Sequence, residues 1–181
     1  MNVIFLDFDG VIDTVYYKSN EDVESKIKIL ANICHKYDCK VVIEASAKDA
    51  IDEETMEIEG KWVKYIFSLF EKYNIECIGR TPTVPKKLSE HSSYPIWKED
   101  EIRLYLYRHP EIEHYCVIDD DDLGPRNSDL NKVRDHLVMT DYYCEEYPEK
   151  EGLLKEHSDL VGKALQKENE IRKMLIKRKK V

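Results

Sequence analysis

The sequence contains no apolar run near the roughly 20 residues that a helix needs to cross a bilayer, so we expect no membrane-spanning segment. The amino terminus runs directly into an apolar strand at residues 2–6 and lacks the layout of a signal peptide. The five cysteines are odd in number, widely spaced and without a CxxC pair, which argues against a disulfide framework and against a zinc site. These absences together predict a cytoplasmic protein.

Positive charges are fewer than negative ones, with 28 Lys and Arg against 37 Asp and Glu. The 181 residues carry a net charge of −9, which argues against a protein that holds nucleic acid by bulk electrostatics. This length suits a single domain over residues 1–181. We predict a C-terminal helix with a basic tail over 155–181. Its cations are explained by their favourable position at a helix end, and a weak nucleic-acid contact is the alternative.

Apolar residues at strand spacing and at helix spacing alternate along the chain. Strands are predicted at residues 2–7, 39–43, 75–78, 115–118 and 136–139. Helices are predicted at residues 20–37, 53–73, 98–108 and about 153–178, with Gly60 as a candidate interruption of the second. This alternation predicts an α/β fold, a three-layer sandwich with a doubly wound, mainly parallel five-stranded sheet. Ligand sites in such sheets lie beyond the carboxyl ends of the strands.

Two of the predicted strands end in aspartates. Asp7 and Asp9 follow the first strand, and residues i and i+2 of an extended chain point the same way, so their carboxylates converge. Gly10 then lets the chain turn sharply. A strand followed by an Asx-type turn is the structural alternative.

The run of aspartates at 119–122 follows the fourth predicted strand. Carboxylates brought together repel one another, and a divalent cation relieves that repulsion. An oxygen-only ligand set favours Mg²⁺ over zinc or copper. A solvated acidic loop is the alternative, but two acidic clusters at two strand ends favour a magnesium site.

These segments resemble motifs of the haloacid dehalogenase (HAD) superfamily of phosphatases. The letters FLDFDGVI at 5–12 resemble the first motif, and YCVIDDD at 115–121 resemble the fourth. More narrowly, residues 2–165 resemble the HAD domain of Swiss Army Knife RNA repair proteins. The segments that carry this narrower resemblance are Gly-x-Thr-Pro at 79–82, basic-x-x-Glu-Ile at 98–102, LVMTD at 137–141 and Gly-Leu at 152–153.

The resemblance implies a Mg²⁺-dependent phosphomonoester hydrolase that forms an aspartyl-phosphate. It makes Asp7 the nucleophile and Asp9 the general acid and base. It places Lys98 where the family has its phosphate-binding lysine, although a solvated lysine at a helix start is the alternative. Magnesium is implied between Asp7, the main-chain carbonyl of Asp9 and an aspartate of the fourth motif, Asp119 in preference to Asp120.

The second motif departs from the pattern that the resemblance implies. The family places Ser or Thr at the end of the second strand, and in this subfamily the strand runs into Ser-Ser-x-Trp-Arg. If Lys48 matches the arginine, then Glu44 and Ala45 take the serine positions, and a carboxylate there repels phosphate unless Lys48 or a metal offsets it. Ser46, Lys48 and Gly10 are therefore the candidate substrate-binding residues. A catalytically weak HAD-fold module that binds metal and phosphate, or regulates, is the alternative function.

The segments between the predicted elements are too short for a helical cap after the first motif, so we expect little or no cap. An open site favours a phosphate on a nucleic-acid end or a nucleotide, with a small phosphate ester as the alternative. The loop at 80–97 mixes cations with aromatics, which suits contact with a nucleic-acid strand. Packing of those aromatics on the domain is the alternative.

Overall fold

The computed structural model describes residues 1–15, 19–83, 98–123 and 132–178. The strands are β1 (Asn2–Leu6), β2 (Cys39–Ile43), β3 (Cys77–Arg80), β4 (His114–Asp119) and β5 (Leu137–Met139). The helices are α1 (Asn20–Tyr37), α2 (Lys61–Lys72), α3 (Lys98–Arg108), α4 (His157–Leu165) and α5 (Glu170–Arg178). Short 3₁₀ turns lie at Ser46–Ala50, Val133–His136 and Pro148–Lys150.

All five strands are parallel, in the order β3-β2-β1-β4-β5. Apolar side chains of α1, α2 and α4 pack on one face of the sheet, and those of α3 and α5 pack on the other. The predicted three-layer α/β sandwich with a doubly wound parallel sheet is therefore confirmed. The strand order reverses between β1 and β4, and the carboxyl ends of these two strands flank the crevice where such folds bind ligands.

The pleat of the central strands decides which face each side chain reaches. In β1, Ile4 and Leu6 pack toward α1, while Val3 and Phe5 pack toward α3. Because successive residues alternate between faces, Asp7 emerges on the α3 side. Glu44 stands two positions after Val42, and Asp119 stands two positions after Val117. By the same alternation, both side chains emerge on the α3 side of the sheet.

The second predicted helix and the third predicted strand differ in their bounds from those observed. The helix predicted at 53–73 begins at Lys61, because Gly60 precedes it with a φ of +79°, a left-handed conformation that favours glycine. Upstream, Asp52 Oδ1 accepts hydrogen bonds from the amides of Glu54 and Thr55, which closes a turn instead of a helix. The third strand lies two residues later than predicted, at 77–80 instead of 75–78.

The prediction of one long C-terminal helix at 153–178 is wrong, since α4 ends at Leu165 and α5 begins at Glu170. Asn169 separates them: its Oδ1 accepts from the amide of Arg172 at 3.1 Å, and its Nδ2 donates to the carbonyl of Ile112 at 2.9 Å. A buried side chain that caps α5 and bonds the segment before β4 fixes the break. Residues 179–181 of the predicted basic tail lie outside the described residues.

Among the described helices, none has both the length and the apolar character that a bilayer span requires. All five cysteines fall in the described ranges, and each is a free thiol. The connection from β1 to α1, of which 16–18 lie outside the described residues, has the short length predicted from the sequence. Most of the predicted loop at 80–97 also falls outside them.

Candidate active site

Four polar residues form a row along the carboxyl ends of neighbouring strands. Leu6 is in register with Ile43 and Ile118, so the next residues of these strands, Asp7, Glu44 and Asp119, lie side by side. Thr81 extends the row beyond β3, and its amide donates to the carbonyl of Ile43 at 3.0 Å. The amide of Asp7 likewise donates to the carbonyl of Ile118 at 3.0 Å. The backbone of the sheet therefore holds the row.

Asp7, Asp119, Asp120 and Lys98 make up what we call the aspartate cluster. Carboxylate oxygens of the three aspartates lie within 4.8 Å of one another. Lys98 Nζ lies 2.5 Å from Asp7 Oδ2 and 2.9 Å from Asp119 Oδ2. Asp7 and Asp119 are buried, whereas the Lys98 side chain is 31% exposed. Lys98, the predicted phosphate-binding lysine, therefore contacts Asp7, the predicted nucleophile.

Gly10 lets the first and fourth motifs approach each other closely. Its φ is +71°, and a Cβ at this position would lie 2.3 Å from Cγ of Asp120. The carbonyl of Gly10 accepts a hydrogen bond from Oγ1 of Thr140 at 2.7 Å, which ties the turn to the end of β5. Only glycine fits this conformation and this space. Its predicted contact with substrate stays a prediction.

Burial raises the pKa values of the three aspartates. Burial raises the pKa of Asp119 to about 8, and the charge of Asp7 adds to the rise while Lys98 opposes it. Burial also raises the pKa of Asp7 and of Asp120. Buried carboxylates that repel one another, with only oxygen donors, fit a hard divalent cation such as Mg²⁺. Both aspartates proposed from the fourth motif lie in this cluster.

Asp9 and Ser46 meet at the rim of the site. Asp9 is exposed, unlike Asp7, and its Oδ2 accepts a hydrogen bond from Ser46 Oγ at 3.3 Å. Ser46 begins the 3₁₀ turn that follows β2. The predicted general acid and the predicted substrate-binding serine are thus brought together, with the first facing solvent.

A second, largely buried group of polar residues, which we call the glutamate cluster, consists of Glu44, Lys48, Thr81 and Glu101. Lys48 Nζ lies 3.4 Å from Glu44 Oε1 and 3.1 Å from Thr81 Oγ1, and it donates to Glu101 Oε2. Thr81 Oγ1 donates to the other oxygen of Glu44. Burial raises the pKa of Glu44 to about 7, against the opposing effect of Lys48. Lys48 therefore offsets the negative charge of Glu44.

The sequence did not assign roles to Thr81, Glu101 or Thr140, although each lies in a motif that carries the resemblance. Glu101 was signalled by its spacing, one helical turn after Lys98. Lys48, predicted to bind substrate, has its ammonium between two carboxylates, and a phosphate would have to compete with both. Its predicted role stays a prediction.

A family model described as the HAD domain in Swiss Army Knife RNA repair proteins matches residues 3–144. The matched region includes both clusters and all five strands. No curated protein and no solved structure matches the chain.

Proposed function

The chain belongs to the family of HAD domains in Swiss Army Knife RNA repair proteins, and we propose that it is a Mg²⁺-dependent phosphomonoester hydrolase acting through an aspartyl-phosphate. Membership makes it a HAD-like hydrolase of the phosphatase type. One observation carries the finer proposal: buried Asp7 lies against the ammonium of Lys98 and beside two further carboxylates. This arrangement suits a nucleophile that must meet an anionic phosphate.

Two displacements at phosphorus make up the proposed reaction. First, an oxygen of Asp7 attacks phosphorus, the bond to the leaving oxygen breaks, and Asp9 donates a proton to that oxygen. Then Asp9 takes a proton from water, the water oxygen attacks phosphorus, and the bond to Asp7 breaks to release inorganic phosphate. The exposure of Asp9 supports this double role, because its carboxyl group must reach both leaving group and water.

The side chains of the aspartate cluster have separate tasks in this proposal. Asp7, Asp119 and Asp120 would hold magnesium with the main-chain carbonyl of Asp9, and bound Mg²⁺ supplies charge that offsets repulsion between nucleophile and phosphate. Lys98 contacts both Asp7 and Asp119, so its ammonium is held where negative charge gathers during transfer. The amide of Phe8 donates to Asp7 Oδ1 at 2.7 Å and orients the carboxylate.

We propose a 3′- or 5′-phosphate on a nucleic-acid end, or a nucleotide, as the substrate. The family description names RNA repair proteins, and the short connection after the first motif leaves no room for a helical cap there. A net charge of −9 opposes binding along an extended phosphate backbone, and favours recognition of a terminal phosphate. Under this proposal the protein is cytoplasmic.

The glutamate cluster supports a second candidate function, a HAD-fold module that binds metal and phosphate but turns over slowly. If Lys48 matches the arginine of the family pattern, Glu44 stands where the family places a serine that contacts phosphate. The ammonium of Lys48 is held by Glu44 and Glu101. A site without those phosphate contacts would stabilise the transition state less. The intact set of Asp7, Asp9 and Lys98 favours the hydrolase.

Phosphate release decides between the two functions. An aryl phosphate and oligoribonucleotides with a 3′- or a 5′-phosphate would be tested with and without Mg²⁺, using the wild-type protein and Asp7→Asn. We expect Mg²⁺-dependent turnover that is lost in Asp7→Asn, with preference for one oligonucleotide end. No turnover by a folded protein that still binds Mg²⁺ would favour the binding module.

A further inference from the structure

The glutamate cluster lies beside the nucleophile, yet the proposed reaction does not use it. Glu44 follows the strand next to Asp7 at the same level of the sheet, and it is 1% exposed. The side chains of Lys48 and Glu101 are 9% and 14% exposed. Burial of ionisable groups is unfavourable unless they are paired, and here Lys48 forms ion pairs with both Glu44 and Glu101.

Helix α3 joins the two clusters through its first turn. Lys98 and Glu101 are three residues apart, a spacing that puts both side chains on one face of a helix. Lys98 reaches Asp7 and Asp119, and Glu101 reaches Lys48. The start of α3 is therefore held at two neighbouring points, one through Lys98 and the other through Glu101. The contact of Glu101 with Lys48 limits how far Lys98 can move.

Lys48 also holds the turn after β2. It lies in the 3₁₀ turn at Ser46–Ala50, whose first residue donates to Asp9 at 3.3 Å. Its ammonium contacts Glu44 at the end of β2, Thr81 after β3 and Glu101 on α3. One buried ammonium thus joins three segments, two of which carry residues of the proposed site.

We infer that Glu44, Lys48 and Glu101 are positioning residues, which fix Lys98 against Asp7 and Ser46 against Asp9. In this chain Glu44 is a buried anchor for the second motif, at the position of a phosphate-contacting serine if Lys48 matches the arginine of the family pattern. The catalytic consequence rests on the proposed function, whereas the anchoring of α3 does not. Displacement of Lys98 by as little as 1 Å would slow phosphoryl transfer about 100-fold without a matching change in KM.

The test uses the full chain with two variants that break the anchor, Lys48→Met and Glu101→Gln, and one that conserves the charge, Lys48→Arg. Arg103→Met is the matched control, because Arg103 forms an ion pair within α3, 3.0 Å from buried Glu99. Two quantities would be measured for each folded variant. The first is kcat and KM for an aryl phosphate with Mg²⁺, and the second is hydrogen exchange of the amides at 102–105, which close the first turn of α3.

We expect kcat to fall about 10- to 100-fold in Lys48→Met and Glu101→Gln, with KM within about twofold of wild type and recovery of most of the rate in Lys48→Arg. Exchange at 102–105 should rise in the anchor variants above its value in Arg103→Met. Unchanged kcat together with exchange equal to the control overturns the inference. If the wild-type protein has no phosphatase activity, the proposed function fails, and exchange alone decides the anchoring.

Discussion

The aspartate cluster and the glutamate cluster contain similar charges on neighbouring strands, but they differ in access to solvent. In each, one lysine lies between two carboxylates: Lys98 between Asp7 and Asp119, and Lys48 between two glutamates. The side chain of Lys98 is 31% exposed, whereas that of Lys48 is 9% exposed. The ammonium of Lys98 is therefore more accessible to a ligand than the ammonium of Lys48.

The surroundings of the two lysines reinforce this difference. Asp120 adds a third carboxylate to the aspartate cluster, which leaves its negative charge in excess and suits a cation. Thr81 adds a neutral hydroxyl to the glutamate cluster, and that hydroxyl bonds both Glu44 and Lys48. Similar ionic groups thus favour ligand binding in the aspartate cluster and attachment of α3 in the glutamate cluster.

The largest expected effect is the loss of stability in Lys48→Met. Removal of the ammonium takes away the cation that buried Glu44 and partly buried Glu101 share, and breaking a buried ion pair costs about 3–5 kcal/mol in the free energy of unfolding. The matched change Lys98→Met should cost less, because the Lys98 side chain is 31% exposed and water already screens part of its attraction to the carboxylates. Urea unfolding of both variants measures the difference, and equal losses would remove the contrast between the clusters.

For activity, in contrast to stability, Lys98→Met should have a larger effect than Lys48→Met. Lys98→Met removes the cation nearest the nucleophile, and we expect kcat to fall about 10²- to 10³-fold, an effect typical of lost transition-state charge stabilisation. Phosphate release from an aryl phosphate under saturating Mg²⁺ measures it. Lys98→Arg, which keeps the charge, is the control. A Lys98→Met protein with nearly wild-type kcat would place the catalytic charge elsewhere.

Magnesium should stabilise the protein through one cluster only. A ligand that binds the folded state at 100 times its Kd raises the free energy of unfolding by about 2.7 kcal/mol. We expect this increment in the wild-type protein and in Glu101→Gln, but not in Asp119→Asn. Thermal unfolding with and without Mg²⁺ gives the comparison, with Ca²⁺ as a second cation. Retention of the increment in Asp119→Asn would argue against the metal site.

The pH dependence of stability should identify Glu44. Its pKa is raised to about 7 in the folded protein from an ordinary value of 4.5, so the folded state binds the proton more tightly and stability falls as pH rises between those values. Glu44→Gln has no proton to lose. Relative to wild type, this variant should therefore gain about 2 kcal/mol between pH 5 and pH 7.5. Urea unfolding at several pH values measures the gain, and parallel curves would contradict the assignment.

Much of the fold and the aspartate cluster could be predicted because each depends on local pattern. Strand spacing in the sequence gave the parallel sheet, and the carboxyl ends of β1 and β4 then had to meet at the switch point. Asp7 and Asp119 follow from that topology alone. Lys98 required the resemblance, since a lysine at a helix start has no distinctive local signal.

The parts that could not be predicted depend on tertiary contacts. The break between α4 and α5 depends on Asn169, whose side chain bonds the distant carbonyl of Ile112. The role of Glu44 depends on Lys48, Thr81 and Glu101, which meet only after three segments have packed. From the sequence, Glu44 was expected to be an obstacle to phosphate binding. Its partners make it part of a buried anchor, and no periodicity in the sequence indicates that.

The smallest expected effect lies at the border between the two clusters. Ser46 is joined to Asp9 by one hydrogen bond of 3.3 Å, and it begins the turn that Lys48 holds. Loss of one neutral hydroxyl contact is worth about 0.5–1.5 kcal/mol, so Ser46→Ala should lower kcat/KM about 2- to 10-fold. Steady-state kinetics with the aryl phosphate measures this effect, and Ser68→Ala, on an exposed face of α2, is the control. A loss of 100-fold or more would mean that Ser46 contacts the phosphate, as the sequence predicts, and that the second motif still binds substrate although Glu44 anchors it.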